Sequence, residues 1–301
     1  MLKFIIIIFS FFNTIHTLTL QEAFNEAESY AGYDKYVILD SETIYTGGLG
    51  IYEGDIFIDC NGATIDLQTG QGIWVYADEQ YPSSLDIQEC SITNGLYYGL
   101  SYGGTSNGNV INCNFHSTNF GLKLFDESNV YITNSIFSSQ QSMGIGVYTE
   151  DPIINGDYIV FWNNEDNCME NCPGWGNVWT QFELSPGTLI INEDPLFSDI
   201  LNLDFTLMEN SPCIDSGNPI YNDLDGSISD IGANPFSNNE CLISGDINND
   251  LRIDILDIVD LVCIIINTSE CIEEIECSGD LNGDESVNVL DVVEIVNIIL
   301  S

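Results

Sequence analysis

The chain has 301 residues with 47 Asp plus Glu against four Lys plus Arg, a formal net charge of −43. Nucleic-acid binding by counterion release needs clustered Lys and Arg, and with only Lys3, Lys35, Lys123 and Arg252 the composition excludes it, along with attraction to anionic membranes or polyanionic sugars. A hydrophobic content of 44% and an aromatic content of 11% exclude a disordered polyelectrolyte, and the length suits about two domains.

Residues 1–18 read as a secretory signal: Lys3 precedes an apolar run from Phe4 to Phe12, too short to span a bilayer, that ends at Asn13 and Thr14. Cleavage is placed between about Asn13 and Thr19. With no later segment that reads as a membrane span, the expected destination is secreted, extracellular or at the cell surface. Ten cysteines (Cys60, Cys90, Cys113, Cys168, Cys172, Cys213, Cys241, Cys263, Cys271 and Cys277) suit that oxidising compartment, and none forms a CxxC pair that would suggest thiolate zinc.

Between residues 57 and 160 two patterns alternate. One is Gly followed by apolar or aromatic residues: Gly72-Ile73-Trp74-Val75, Gly99-Leu100-Ser101-Tyr102, Gly121-Leu122-Lys123-Leu124 and Gly144-Ile145-Gly146-Val147, at offsets of 27, 22 and 23. The other is a β-rich stretch, Ile87 to Ile92, Val110 to Phe115 and Ile132 to Phe137, which puts Cys90, Cys113 and Ser135 in register. Period-2 alternation that returns every 22 or so residues predicts a coil of stacked parallel strands. Asn112 and Asn134, with Asn94 and Asn114 nearby, suit its turns. For Cys90 and Cys113, on neighbouring turns, the spacing allows either a buried thiol stack or a disulfide.

These residues resemble the right-handed parallel β-helix (pectin-lyase-like) family of secreted and surface proteins, many of which bind or cut polysaccharides. The resemblance continues through Asp194-Pro195-Leu196-Phe197, Leu203-Asp204-Phe205, Ser211-Pro212-Cys213 and Asp230-Ile231-Gly232-Ala233, which look like the stretch that closes such domains. It implies a mainly β fold over residues 19–240.

On the outward register the Gly-led strands place Trp74, Ser101, Lys123 and Gly146 in one column and Tyr76, Gly103, Phe125 and Tyr148 in the next. A third column holds Asp78, Thr105, Glu127 and Glu150. Trp74, Tyr76, Phe125 and Tyr148 are candidates for stacking on a neutral polysaccharide. Asp78, Glu127 and Glu150 are candidate catalytic carboxylates, and Glu127 and Glu150 on adjacent turns suit the ~5–5.5 Å spacing of a retaining glycosidase. Solvated loop ends carry such charges routinely, so catalysis stays open. Lyase chemistry is not expected, because Lys123 is the one base on this face. His116 stands alone and reads as structural.

After Cys241 the chain repeats itself at an offset of 34: Gly245-Asp246-Ile247-Asn248-Asn249-Asp250 matches Gly279-Asp280-Leu281-Asn282-Gly283-Asp284, and Leu256, Asp257 and Val259 match Leu290, Asp291 and Val293. Oxygen-bearing side chains fall at loop positions 1, 3, 5, 9 and 12: Asp246, Asn248, Asp250, Asp254 and Asp257, then Asp280, Asn282, Asp284, Asn288 and Asp291. With the position-7 carbonyls of Arg252 and Ser286 they wrap a hard cation, so two Ca2+ ions are expected. Ile258, Leu261, Val262 and Ile265 form an apolar stripe on the following helix. The duplicated loop-helix, with Asp at position 12, resembles a dockerin type I module over residues 241–301. That implies a small EF-hand-like α-helical domain and docking to a cohesin-type or other surface protein. Ile255-Leu256 and Val289-Leu290 stand where dockerins often carry hydroxyl residues.

The leading expectation is a secreted calcium-binding protein whose dockerin-like module docks a polysaccharide-associated β-helix to a scaffold or cell surface. The alternatives are a glycoside hydrolase with the β-helix as catalytic domain, and a structural surface adhesin.

Overall fold

The computed structural model describes residues 18–149, 151–165, 181–184, 189–223, 226–236, 245, 247, 253–266, 279, 281–282 and 286–300. They fall into two compact units, one formed by residues up to 223 with 228–236, the other by the residues beyond 236 with 226 and 227.

The first unit is built on a three-sided coil whose strands pair in parallel with the strand one turn away; after the coil, Phe197–Asp199 and Asp204–Leu207 pair antiparallel with each other. The first sheet holds Lys35–Ile38, Gly54–Asp59, Ser83–Gln88, Asn107–Ile111, the first halves of Asn129–Ser138 and Ile153–Trp162, and Gln181–Leu184. The second holds Ile44–Thr46, Thr64–Asp66, Ser91–Thr93, Asn114–His116, the second halves of the two long strands, and Ile190–Ile191. The third holds Leu49–Ile51, Ile73–Ala77, Tyr98–Gly104, Phe120–Leu124 and Met143–Val147.

The corners explain why the chain turns where it does. Glu89, Asn112, Asn134 and Tyr158, between the first and second sheets, have φ of 53°, 48°, 47° and 52°. Asn94, Ser117, Ser139 and Asn163, after the second sheet, have φ of 60°, 52°, 56° and 52°. Left-handed backbone is costly for most residues, and Asn tolerates it best because its short side chain bonds locally. Two of the β-rich stretches read from sequence as single strands, Ile87 to Ile92 and Val110 to Phe115, are therefore bent through a corner at Glu89 and Asn112. Asn114 is not a turn residue: it lies in a strand, 1% exposed.

Alternation sends Ile, Val, Leu and Phe inward to one continuous core, within which Phe115, Phe137 and Phe161 stack on successive turns at centroid separations of 4.9 and 5.4 Å. The recurring glycines are the seats of these rings. A Cβ on Gly99, Gly121 or Gly144 would lie 2.8, 2.4 or 2.8 Å from a ring carbon of Phe115, Phe137 or Phe161, so each ring reaches into the preceding turn. Gly is required there by contact, not by backbone angle.

Helix α1 (Leu20–Glu26) packs on the start of the coil. Thr19 and Glu22 form a reciprocal capping box, Leu20 is buried in the core, and Lys35 Nζ donates to the carbonyls of Asn25 and Ala27 at the helix's other end, at 3.1 and 2.6 Å.

The segment expected to close the domain runs along the outside of the second sheet. Asn134 carries much of its attachment: its carbonyl and Oδ1 accept from the backbone N–H groups of Gly232 and Asn218, at 2.9 and 2.7 Å, and its Nδ2 donates to Ser229 Oγ. Ile136 and Val160 point outward into a second apolar cluster with Phe197, Phe205, Leu207, Cys213 and Ile231. Asp230, 3% exposed, accepts from Asp215 N and Phe236 N and so ties the segment to itself.

The spacing that allowed Cys90 and Cys113 to bond is used otherwise. Cys90 is joined to Cys60, and Cys113 is a buried free thiol.

In the second unit helices α2 (Ile255–Ile265) and α3 (Val289–Leu300) share a small core of Ile247, Leu261 and Ile295, flanked by Ile253, Ile258, Ile264, Ile265, Leu281 and Val292. Val262 departs from the expected stripe and is 38% exposed. No helix among the described residues is long and apolar enough to cross a membrane.

Candidate functional site

Of the three outer faces of the coil, the second is covered. His116 belongs there: it is 8% exposed, bonds Ser138 Oγ through Nδ1 at 2.9 Å, and packs against Phe197 and Phe205. Burial pulls its pKa down to about 4, which keeps it neutral and fits the structural role expected of it.

The outer face of the third sheet carries the aromatic residues. Its register is the one expected: Trp74 opposes Ser101, Ser101 opposes Lys123, Lys123 opposes Gly146, and Tyr76 opposes Gly103. Trp74 meets Tyr52 edge to face at 4.8 Å, and its indole occupies the space a Cβ on Gly50 would need. Phe125 and Phe120 lie 5.2 and 5.6 Å from Tyr148. Lys123 Nζ sits at their centre, 4.3 Å from the Tyr148 centroid, 4.8 Å from Phe120 and 5.1 Å from Phe125. The ring faces offset the ammonium charge, while partial burial lowers its pKa from the usual value. Among the described residues no carboxylate pairs with it.

Sequence reasoning placed Ser101, Gly103 and Gly146 on the exposed register, yet all three are buried, Ser101 with 6% exposure. Tyr76 and Phe125 close over Gly103, and Phe120 and Tyr148 close over Gly146. Sequence reasoning also missed Tyr52 and Phe120: Tyr52 precedes the repeat, and Phe120 sits just before the Gly that defined the motif.

The carboxylate column is less coherent. Backbone bonds from Thr105 N to the Ala77 carbonyl and from Glu127 N to the Gly104 carbonyl keep the turns aligned. Asp78, however, is committed to a turn, its Oδ1 accepting from Gln80 N and Tyr81 N at 2.8 Å. Glu127 is exposed, and Glu150 lies outside the described residues. Asp126 lies beside the strip, its Oδ2 accepting from Gly104 N at 2.9 Å.

In the second unit Asp246, Asn248, Asp250, Arg252, Asp280 and Asp284 lie outside the described residues. Of the remaining six, Asp254 and Asp257 repeat the arrangement of Asn288 and Asp291. Asp257 accepts from Ile247 N and Asp254 N at 2.7 Å each; Asp291 accepts from Leu281 N at 3.0 Å and Asn288 N at 2.8 Å. Asp254 and Asn288 each accept from the N–H two residues on, at 2.8 and 2.9 Å. Burial raises the pKa of Asp291, but the backbone N–H groups of Asn288, Asn282 and Leu281 outweigh it, and the net shift is downward. Both carboxylates at the closing position are fully buried and draw the start of their loops inward; among the described residues no group of three or more His, Cys, Asp or Glu is gathered as a metal site. The Ser286 carbonyl accepts from Asn288 Nδ2 at 2.8 Å, a bond made within the loop itself.

Residues 30–174 match the family model described as "Right handed beta helix region". Among solved structures, the crystal structure of pectate lyase Pel9A is similar at 13% identity, over 72% of this chain and 91% of that one, with a TM-score of 0.30. No curated protein matches the chain. The stacked turns of the first unit thus form a right-handed parallel β-helix.

Proposed function

We propose that the chain is an exported, modular, glycan-associated protein in which the outer face of the third sheet binds a neutral polysaccharide. In this reading the C-terminal duplication is a dockerin-like unit that holds two Ca2+ ions and docks the β-helix to a cohesin-type scaffold or another surface protein. The observation that supports the glycan part most is the set of partly exposed rings on this face, Tyr52 with Trp74 on two turns and Phe125 with Tyr148 beside Lys123 on two others. Sugar faces stack on such rings, and the Lys123 ammonium donates to sugar oxygens at their edge.

In the second unit Asp254, Asp257, Asn282, Asn288 and Asp291, with the loop residues between them, would hold the ions, which would neutralise acidic loops and fix the helix starts. Docking is supported by the apolar side chains that the duplication presents twice, Ile255, Leu256 and Val259 at 68, 53 and 58% exposure and Val289, Leu290 and Val293 at 65, 56 and 52%.

The test is calorimetric titration of the full chain with a panel of soluble neutral glycans, with Trp74→Ala and Tyr148→Ala alongside, and release of reducing ends measured in the same mixtures. Binding weakened about tenfold or more by each substitution supports the reading. Absence of binding across the panel, or binding indifferent to both substitutions, refutes it. Release of reducing ends lost on Glu127→Gln makes the face catalytic as well.

A further inference from the structure

Sulfur occupies the interior of one corner on three successive turns. The column defined by register runs Ala63, Cys90, Cys113 and Ser135: Ser91 N bonds the Ala63 carbonyl, Asn114 N bonds the Cys90 carbonyl at 2.8 Å, and Cys113 N bonds Ser135 Oγ at 3.2 Å. Cys60 stands outside that column. Its turn has two more residues at the corner than the next, with Asp59 and Thr64 flanking the corner where Gln88 and Ser91 flank the following one. The bond from Ala63 N to the Cys60 carbonyl folds those residues back so that Cys60 reaches Cys90, with a Cα–Cα distance of 4.9 Å. Cys113 is the next member of the column, one turn beyond Cys90 at the corner between the strand pairings Gln88–Ile111 and Ser91–Asn114, where a turn spacing of about 4.8 Å falls within the Cα range of disulfides; its Sγ lies 3.2 Å from the Ile111 carbonyl oxygen. All three cysteines are fully buried in the one core.

We propose that Cys90 has two competent bonding partners, Cys60 and Cys113, so that the bridge can migrate by one turn. The Cys113 thiolate attacks Cys90 Sγ in line with the existing bond. The Cys90–Cys113 bond forms, the Cys60–Cys90 bond breaks, and the electron pair, followed by the proton Cys113 gave up, ends on Cys60. Sulfur is neither oxidised nor reduced overall, so no outside reagent is consumed. Loop closure does not separate the isomers, because its entropy varies only with the logarithm of loop length and the separations are 30 and 23 residues. Burial pushes the Cys113 thiol up to about 12, which makes migration slow in the folded chain and leaves the choice to oxidative folding. Which turns are cross-linked, second to third or third to fourth, is then set by the order in which they dock.

The test is oxidative refolding of the full chain in a glutathione buffer, with alkylation of free thiols and non-reducing peptide mapping. In Cys60→Ser the Cys90 and Cys113 peptides are expected to be linked. In the unsubstituted chain the linked Cys60–Cys90 pair is expected to dominate, with a Cys90–Cys113 fraction that grows with the pH of refolding. Recovery of Cys90 and Cys113 both alkylated in a folded Cys60→Ser chain overturns the proposal. If that variant does not fold, the unsubstituted chain decides: absence of the Cys90–Cys113 pair at every pH and every refolding time overturns it.

Discussion

Replacing Gly121 by Ala puts a methyl where the Phe137 ring already is. The new Cβ would lie 2.4 Å from Phe137 Cδ1 and 2.7 Å from the Gly144 carbonyl oxygen. Overpacking of this kind costs about 1–3 kcal/mol, against a gain of about 0.4–1 kcal/mol from a less flexible unfolded chain, so Gly121→Ala should destabilise by about 1–2 kcal/mol. Phe137→Ala empties a fully buried site stacked on two rings and should cost about 3–5 kcal/mol. The two are coupled: with the ring gone the methyl has room on one side, so the double variant should lose at least ~0.5 kcal/mol less than the sum. The Gly144 oxygen does not move away, so relief is partial. Urea unfolding followed by circular dichroism gives the four stabilities, and unchanged slopes license the comparison. Gly103→Ala is the control, since its Cβ would meet Tyr76 Cδ2 at 3.4 Å and Asp126 Oδ2 and Phe125 Cβ at 3.8 Å, ordinary contact distances. A neutral Gly121→Ala, or strict additivity with Phe137→Ala, would falsify the seat-and-ring account of the repeat.

Other predictions concern protons and calcium. His116 is held near pKa 4 in the folded chain, so as pH falls from about 6.5 to 4 the unfolded chain binds a proton that the folded chain refuses; up to about 3 kcal/mol of stability should be lost in that window, and a His116→Gln chain should lack this component of the pH slope. Glu89 is raised to about 7, by burial first and then by Asp59; its ionisation therefore lowers stability as pH rises from about 4.5 through 7, and Glu89→Gln should raise the urea midpoint at pH 8 but not at pH 4. An unchanged midpoint at pH 8 would refute this. Calorimetry of the full chain should count two Ca2+ ions, falling to one in Asp257→Asn and one in Asp291→Asn; no calcium heat in the unsubstituted chain, or two ions in both variants, would remove the proposed role of the duplicated loops.

The coil was legible in the sequence because its cause is local and repeated. Gly72, Gly99, Gly121 and Gly144 return with the period of the turn, and the inward Ile, Val and Phe return with them, so register followed from counting. What periodicity does not carry was not legible. Glu89 holds the same left-handed corner as Asn112 and Asn134, and no propensity argument selects Glu there. Cys60 bonds Cys90 because extra corner residues carry it out of the column, a departure from the repeat that counting treats as noise. The closing segment was recognisable as an element, but its bonds to Asn134 and Asn114 link residues roughly a hundred positions apart, and only the folded chain shows which sheet it covers. On the third face the register of the columns was read correctly, whereas the burial of Ser101, Gly103 and Gly146 was not, because it depends on how far neighbouring side chains reach over small residues.

The ring of one turn resting on the glycine of the turn before has a consequence for how such a chain can change length. Insertion or loss of a few residues inside a turn leaves a phenylalanine facing a Cβ and a glycine facing nothing, and both errors fall in the core. Removing one whole period, from a point in one turn to the equivalent point in the next, hands each remaining ring an equivalent glycine. The tolerated quantum of lengthening or shortening is therefore the complete turn, and variants of this coil should differ by integers.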